Sequence, residues 1–353
     1  MAYRGRSNGH CRPQGFPFRF LCAALMSVGG LAATPAGQDF PIGALWVAPA
    51  AVTSPPAIRR TVLSARADGF DTVLVPVTLG ARDRSALFEG EGEMVRHARE
   101  AGLRVYLAIG VSVAAGVGEL PPAREHVIYQ HPEWLMVPRE LAPELLKLDA
   151  RSPAYLGRLA RWTRANADRV SGLYISPLAP GAASYLVGAV IEAVRRHSTD
   201  GVYLDAISFP GADFDYSRHA MELFRASIRP QLSPADRIRL DEVEAIDPFG
   251  YAEQFPDEWR KFREASLTNL LKRLRAALDA LDSPVPVAVG AAADPDRALD
   301  THFQTLRTWL DGHLAERIGH RSADSVLFSA DGSAPFRPAR LSIRQDITPS
   351  GAR

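Results

Sequence analysis

Short apolar runs alternate with amphipathic stretches along most of this chain, and the alternation predicts an α/β fold with a parallel sheet. Gly43–Val47 (G-A-L-W-V), Thr72–Val77 (T-V-L-V-P-V), Arg104–Val111 (R-V-Y-L-A-I-G-V), Gly172–Pro177 (G-L-Y-I-S-P), Gly201–Leu204 (G-V-Y-L) and Val285–Val289 (V-P-V-A-V) read as strands, with Ser325–Ser329 (S-V-L-F-S) as a final one. Helical stretches lie between them. Thr53-Ser54-Pro55 opens the first with a capping hydroxyl and early prolines. Glu91–Ala101 is stopped by Gly102, Gly181–His197 carries Leu186, Val190 and Val194 on one face, and Ser217 caps another. From Asp257 to Leu281, Trp259, Phe262, Leu267, Leu270, Leu274, Leu278 and Leu281 recur at three- and four-residue steps, a core stripe. Pro295–Leu310 reads as a last helix.

About six strands, each with a helix, point to a TIM-type (β/α) barrel. A complete one has eight, so the pattern predicts a barrel incomplete at its C-terminal end. The expected sheet, Gly43–Gly290, is curved and mostly parallel. The alternation breaks between 112 and 166, where a long insertion holds His131-Pro132-Glu133-Trp134. The organisation expected is a signal peptide at 1–36, a barrel domain at 37–331 and an Arg-, Pro- and Ser-rich tail at 332–353 that packs poorly.

The first segment changes the reading of the whole. Arg4, Arg6, Arg12 and Arg19 precede the apolar run Phe20–Ala33, and small residues follow it, as in a cleavable export signal. The run is shorter than the roughly 20 residues of a membrane span. The expected location is the periplasm or the extracellular space, with no stable membrane span after cleavage. Both cysteines, Cys11 and Cys22, lie in this segment, so the remainder has no thiol for a disulfide, a nucleophile or a thiolate metal site. No basic stripe interleaved with aromatics suggests a nucleic-acid partner. Neither H-E-x-x-H nor a glycine-rich phosphate loop occurs, and no metal or cofactor is expected.

Several segments together resemble the glycosyl-hydrolase-like family 10 proteins, exported bacterial relatives of barrel glycoside hydrolases. They are Leu45–Val47 with Thr53–Pro55 and Gly69–Val75; His131–Trp134; Ser176-Pro177, then Asp200–Asp205 (D-G-V-Y-L-D) with Pro210–Tyr216; and Trp259–Arg263 with the turn Trp309–Gly312. The match runs from about Gly43 to Gly312. It departs from the family in three places. After the strand-end aspartate the family continues Tyr, any residue, Arg, an aromatic and Pro, where this chain has Ala206-Ile207-Ser208-Phe209-Pro210. Its first strand ends in Ala48-Pro49 and not in a polar residue. The late Pro-Met-x-Tyr strand is replaced by the polar His313–Arg321.

The resemblance implies cleavage of a polysaccharide or oligosaccharide. That chemistry uses two carboxyl groups, one protonated and one ionised. Asp205, at the end of the Gly201–Leu204 strand, is the first candidate, and Asp213 and Asp215 on the following loop are candidates for the second. Glu133, Glu242 and Glu244 are further acids to weigh, the last two equally readable as a solvated face. Sugar faces stack on aromatic rings, which nominates Trp134, Tyr174 and Phe209, beside His131 and Glu133, as substrate-binding residues. Trp46 and Phe214 are less favoured aromatics. The alternative is a degenerate barrel that binds a glycan or a partner protein without cleaving it.

Overall fold

The computed structural model describes residues 43–331, except 78, 80–85, 119, 293 and 323, and the side chains of 86–89. The expected signal segment and tail lie outside the described residues, as do both cysteines. Nine strands are described: β1 (Gly43–Trp46), β2 (Thr72–Val77), β3 (Arg104–Gly110), β4 (Val113–Gly116), β5 (Gly172–Tyr174), β6 (Gly201–Asp205), β7 (Val287–Ala291), β8 (Arg317–Arg321) and β9 (Ser325–Ser329). Seven of them close a barrel in the order β1-β2-β3-β6-β7-β8-β9. From β1 to β8 every pairing in that cycle is parallel, and β9 is antiparallel to both β8 and β1.

The barrel thus closes with one strand fewer than eight, and the reversed strand completes it. A strand can return in parallel only through a crossover of a dozen or more residues, whereas a tight turn gives an antiparallel partner. Between Arg321 and Ser325 there is room only for a turn, and Ser322 ties it by donating its backbone N–H to the Ser325 carbonyl at 2.8 Å.

Two strands depart from the pattern read in the sequence. β8, in the polar stretch where no strand is visible, lies fully in the barrel. β5 is extended as expected but lies outside it, paired antiparallel with β4 from the insertion. A third difference is the helix expected over Pro295–Leu310. It is two short helices, Pro295–Asp300 and Leu306–Asp311, broken at Phe303, whose φ of 57° is left-handed.

Residues alternate across each strand, and the two faces feed two cores. Val73, Val75, Val105, Leu107, Val202, Leu204, Val287 and Val289 point outward to the helices, whereas Ala44, Leu74, Tyr106, Ala108, Tyr203, Ala288, Val326 and Phe328 fill the barrel, with Trp46 packed on top. Large and small residues interlock there. A Cβ on Gly319 would stand 2.4 Å from the Tyr203 ring, so the ring occupies the space a side chain on β8 would need. The long helix Pro256–Asp279 buries Trp259, Leu267, Leu270, Leu271, Leu274 and Leu278 against the barrel. Each such side chain stabilises the fold by about 1.5–3 kcal/mol before entropy is counted.

Candidate active site

The pattern G-V-Y-L-D sends Val202 and Leu204 into the helix layer, so Tyr203 and Asp205 face the barrel interior. Asp205 is the last residue of β6, at the end where parallel strands of such barrels carry their chemistry. Its neighbours at the same height are both glycine. Gly110 is its register partner on β3, and Gly290 follows Val289, the partner of Leu204, on β7. A Cβ at Gly290 would lie 2.5 Å from Asp205 Oδ1 and 2.6 Å from the Tyr203 phenol oxygen. Any larger residue there would displace the carboxyl.

The backbone fixes the carboxyl as well. Val111 N–H donates to the Asp205 carbonyl at 2.9 Å, and Ala206 N–H donates to Oδ1 at 3.0 Å. Ala206 reaches that position with a φ of 51°, a left-handed conformation that costs a residue with a Cβ about 1 kcal/mol or more. Burial raises the Asp205 pKa above its ordinary 3.8, and the Ala206 N–H and the Arg321 guanidinium oppose the rise. Among the described residues no second carboxyl figures among the groups acting on it.

Arg321 is a residue that the sequence pattern does not reveal as functional. It ends β8, and its guanidinium lies 3.7 Å from the centroid of the Trp46 ring. Trp46 meets Tyr203 edge-on at 6.2 Å. Tyr174, at the end of β5, completes the surroundings. Burial raises its phenol pKa, its 2.6 Å bond to the Ser171 hydroxyl opposes this, and the Asp205 carboxylate adds to the rise.

The loop after Asp205 is clamped along its length. Gln304, buried, donates Nε2 to the carbonyls of Ile207 (3.1 Å) and Gly290 (2.9 Å). His302 Nδ1 sits 2.8 Å from the Phe209 carbonyl, to which it donates; burial lowers the ring's pKa and this bond opposes the shift. The break in the helix at Phe303 delivers both side chains. Arg263, from the long helix, donates Nη1 to the carbonyls of Ala212 and Phe214 and lies over the rings of Phe303 and Trp259. Its burial lowers its pKa to about 10, which leaves it charged at neutral pH.

The other residues predicted for the site are spread over different roles. Asp215 is corrected from a catalytic candidate to a structural bracket. It is fully buried, and Val137 N–H (2.8 Å), Ser217 N–H (2.9 Å), the Ser217 hydroxyl (3.0 Å) and the Ser176 hydroxyl all bond its carboxyl. Ser217 in turn caps the helix Arg218–Ile228. Asp213 pairs with Arg169 at 2.8 Å. Glu244 pairs with Arg225, while Glu242 is exposed on the same helix. Phe209 is also corrected: it is 0% exposed, packed edge-on against Phe303, and offers no face to a substrate. An aromatic just past a strand end reads as a platform, but here the clamped loop turns it inward.

His131, Glu133 and Trp134 form a separate cluster. His131 stacks on Trp134 with ring centroids 3.8 Å apart, and its Nδ1 lies 3.0 Å from Glu133 Oε1. One face of Trp134 is therefore covered. The cluster connects to Asp205 through β5, since the Trp134 carbonyl accepts from Ser176 N–H two residues beyond Tyr174. Two surface clefts, one lined by Glu222, Arg225, Arg229 and Arg237 and one by Glu133, Val137, Tyr155 and Tyr216, do not include Asp205. Among the described residues no group of three or more metal-ligating side chains converges, and no helix is long and apolar enough to cross a membrane.

A cycle of mainly parallel strands with helices outside and a carboxyl at its C-terminal mouth defines a TIM-type barrel protein with an acid on its functional face. Residues 92–320 match the family described as Glycosyl hydrolase-like 10, and the chain belongs to that family. No curated protein is significantly similar in sequence. Among solved structures, the glycoside hydrolase domain of PgaB (BpsB) from Bordetella bronchiseptica is 14% identical, over 79% of this chain and 74% of that one, with a TM-score of 0.45. A β-galactosidase from the psychrophilic Marinomonas ef1 is 9% identical with a TM-score of 0.51, a likeness of fold. The match takes in 79% of this chain but 40% of the galactosidase. α-L-Fucosidase isoenzyme 2 from Paenibacillus thiaminolyticus is 17% identical over 69% of this chain, which spans 30% of that enzyme, with a TM-score of 0.40.

Proposed function

We propose that the protein is an exported glycoside hydrolase acting on an envelope or environmental polysaccharide, with Asp205 as its general acid. The observation that carries this reading is the setting of Asp205: a strand-end carboxyl in the barrel mouth, glycine on either side, its proton affinity raised by burial. Such an acid keeps its proton to higher pH than an ordinary aspartate and can hand it to the glycosidic oxygen as the bond to the anomeric carbon breaks, so the leaving sugar departs as a neutral alcohol. Water supplies the hydroxyl that the anomeric carbon gains, and the proton it releases restores the acid form of Asp205. Membership of the glycosyl-hydrolase-like family supports the same chemistry, and the arginine-rich, then apolar, first segment supports export. His131, Glu133 and Trp134 are assigned to a more distant part of the glycan path.

One observation favours a second reading, a barrel that binds glycan without cleaving it: the charged neighbour of Asp205 is Arg321 and not another carboxyl. Asp205→Asn separates the two. If Asp205 is the acid, the variant loses about 10²–10⁴-fold in turnover on a glycan that the wild type cleaves, with binding kept. A wild type that binds a glycan and releases no product from it selects the second reading.

A further inference from the structure

Arg321 ends β8 at the barrel mouth, its guanidinium over the Trp46 ring. Among the described residues it makes no ion pair and no hydrogen bond, and its side chain is exposed. At the opposite end of the same strand, Arg317 also faces inward but donates to the Glu316 carbonyl at 2.7 Å. Several other arginines are engaged with acids, as Arg104 with Asp71, Arg139 with Glu253 and Arg275 with Glu316. Arg321 lies within electrostatic reach of Asp205 yet outside ion-pair distance of it. Its guanidinium rests over the face of Trp46, 3.7 Å from the ring centroid.

That contact fixes the geometry of what is left. A guanidinium held over an aromatic ring spends its face on the ring and keeps N–H donors at its edge, where they match the two oxygens of a planar or tetrahedral anion. A bidentate, charge-assisted pair there is among the stronger polar contacts a protein makes. There is open space beside Asp205: a Cβ added at Gly110, its register partner, would meet only Val113, at 3.9 Å. A neutral sugar would leave the cation unmatched, and an amino sugar would be repelled by it.

We propose that Arg321, held on Trp46, recognises an anionic substituent of the sugar seated beside Asp205, so that the substrate is an acidic glycan bearing carboxylate or sulfate groups. This rests on the reading of the Asp205 mouth as a glycan site.

The test is calorimetric binding by the full chain, wild type and Arg321→Gln, to four probes: oligogalacturonate, a chondroitin sulfate oligosaccharide, a neutral galacto-oligosaccharide and a deacetylated chito-oligosaccharide. The expected result is a preference for one of the two acidic probes, weakened by salt. Arg321→Gln should lower that affinity about 10–100-fold, with an unchanged melting temperature and unchanged weak binding of the neutral probe. Which acidic probe binds tells carboxylate from sulfate recognition. Arg321→Lys, which keeps charge without the fork, should recover only part of the loss. If Arg321→Gln binds the acidic and neutral probes as the wild type does, or the wild type prefers the neutral or cationic probe, the inference is overturned. Loss of that neutral or cationic binding on Gly290→Leu, which fills the space at Asp205, would then leave the glycan-site reading standing. Binding of none of the four probes overturns both. A role confined to tuning Asp205 would shift the pH profile of turnover and weaken acidic and neutral sugars alike, which also counts against the proposal.

Discussion

Asp205 and Asp215 stand ten residues apart on the same stretch of chain, and both have proton affinities raised chiefly by burial. They are nevertheless opposite kinds of residue. Asp215 takes two backbone N–H groups and two hydroxyls, so every lone-pair direction is used and three loops meet on it. Asp205 takes a single local N–H, faces two glycines and is half-buried at the mouth. Burial alone does not tell a working acid from a fastener; the number of donors already committed to it does.

That contrast can be broken most sharply by exchanging the losses. Beside the large drop in turnover expected for Asp205→Asn, Asp215→Ala should cost about 3 kcal/mol of stability, because it strands the Val137 and Ser217 N–H groups in a dry interior. Chemical denaturation of the two variants measures this. A stable Asp215→Ala protein with lost turnover would move Asp215 into the chemistry.

A smaller effect lies in the pH dependence of stability. A carboxyl whose folded pKa is raised favours the folded state most below the ordinary 3.8, and that advantage is lost as pH rises through the raised value. Asn at position 205 has no such dependence. The melting temperature of Asp205→Asn should therefore match the wild type at acid pH, exceed it as pH rises through the raised value, and then keep a constant lead. A variant that melts lower than the wild type at every pH would mean that Asp205 is a fastener too. The smallest change expected is Ala206→Gly, which relieves the left-handed backbone and should alter stability by under about 1 kcal/mol. Thermal melts will show it, and a large loss would mean that the Ala206 methyl is packed and not strained.

Much of the frame was legible in the sequence because it depends on local pattern. β2, β3, β6 and β9 are apolar runs ending near their observed bounds, and Asp205 is visible because an acid interrupts one of them. β8 was hidden because R-I-G-H-R keeps only Ile318 as an apolar outward residue; its inward positions are Arg317 and Arg321, at the two wet ends of the barrel, around Gly319. β4 was hidden by its brevity. The clamps Arg263, His302 and Gln304 could not be read from spacing either, since topology carries them to the Asp205 loop from tens of residues downstream. No motif in the sequence marks a side chain whose partner is a distant carbonyl.

The reversed β9 also orders events in time. Its pairing with β1 joins Gly43–Leu45 to Ser325–Leu327, almost the full described length apart, so the cycle stays open until the last strand has left the ribosome. Until then β1 has one bare edge, able to accept a strand from another chain. A protein exported before it folds would meet that hazard only after translocation, and would then close its barrel in one long-range step, slow by the measure of contact order.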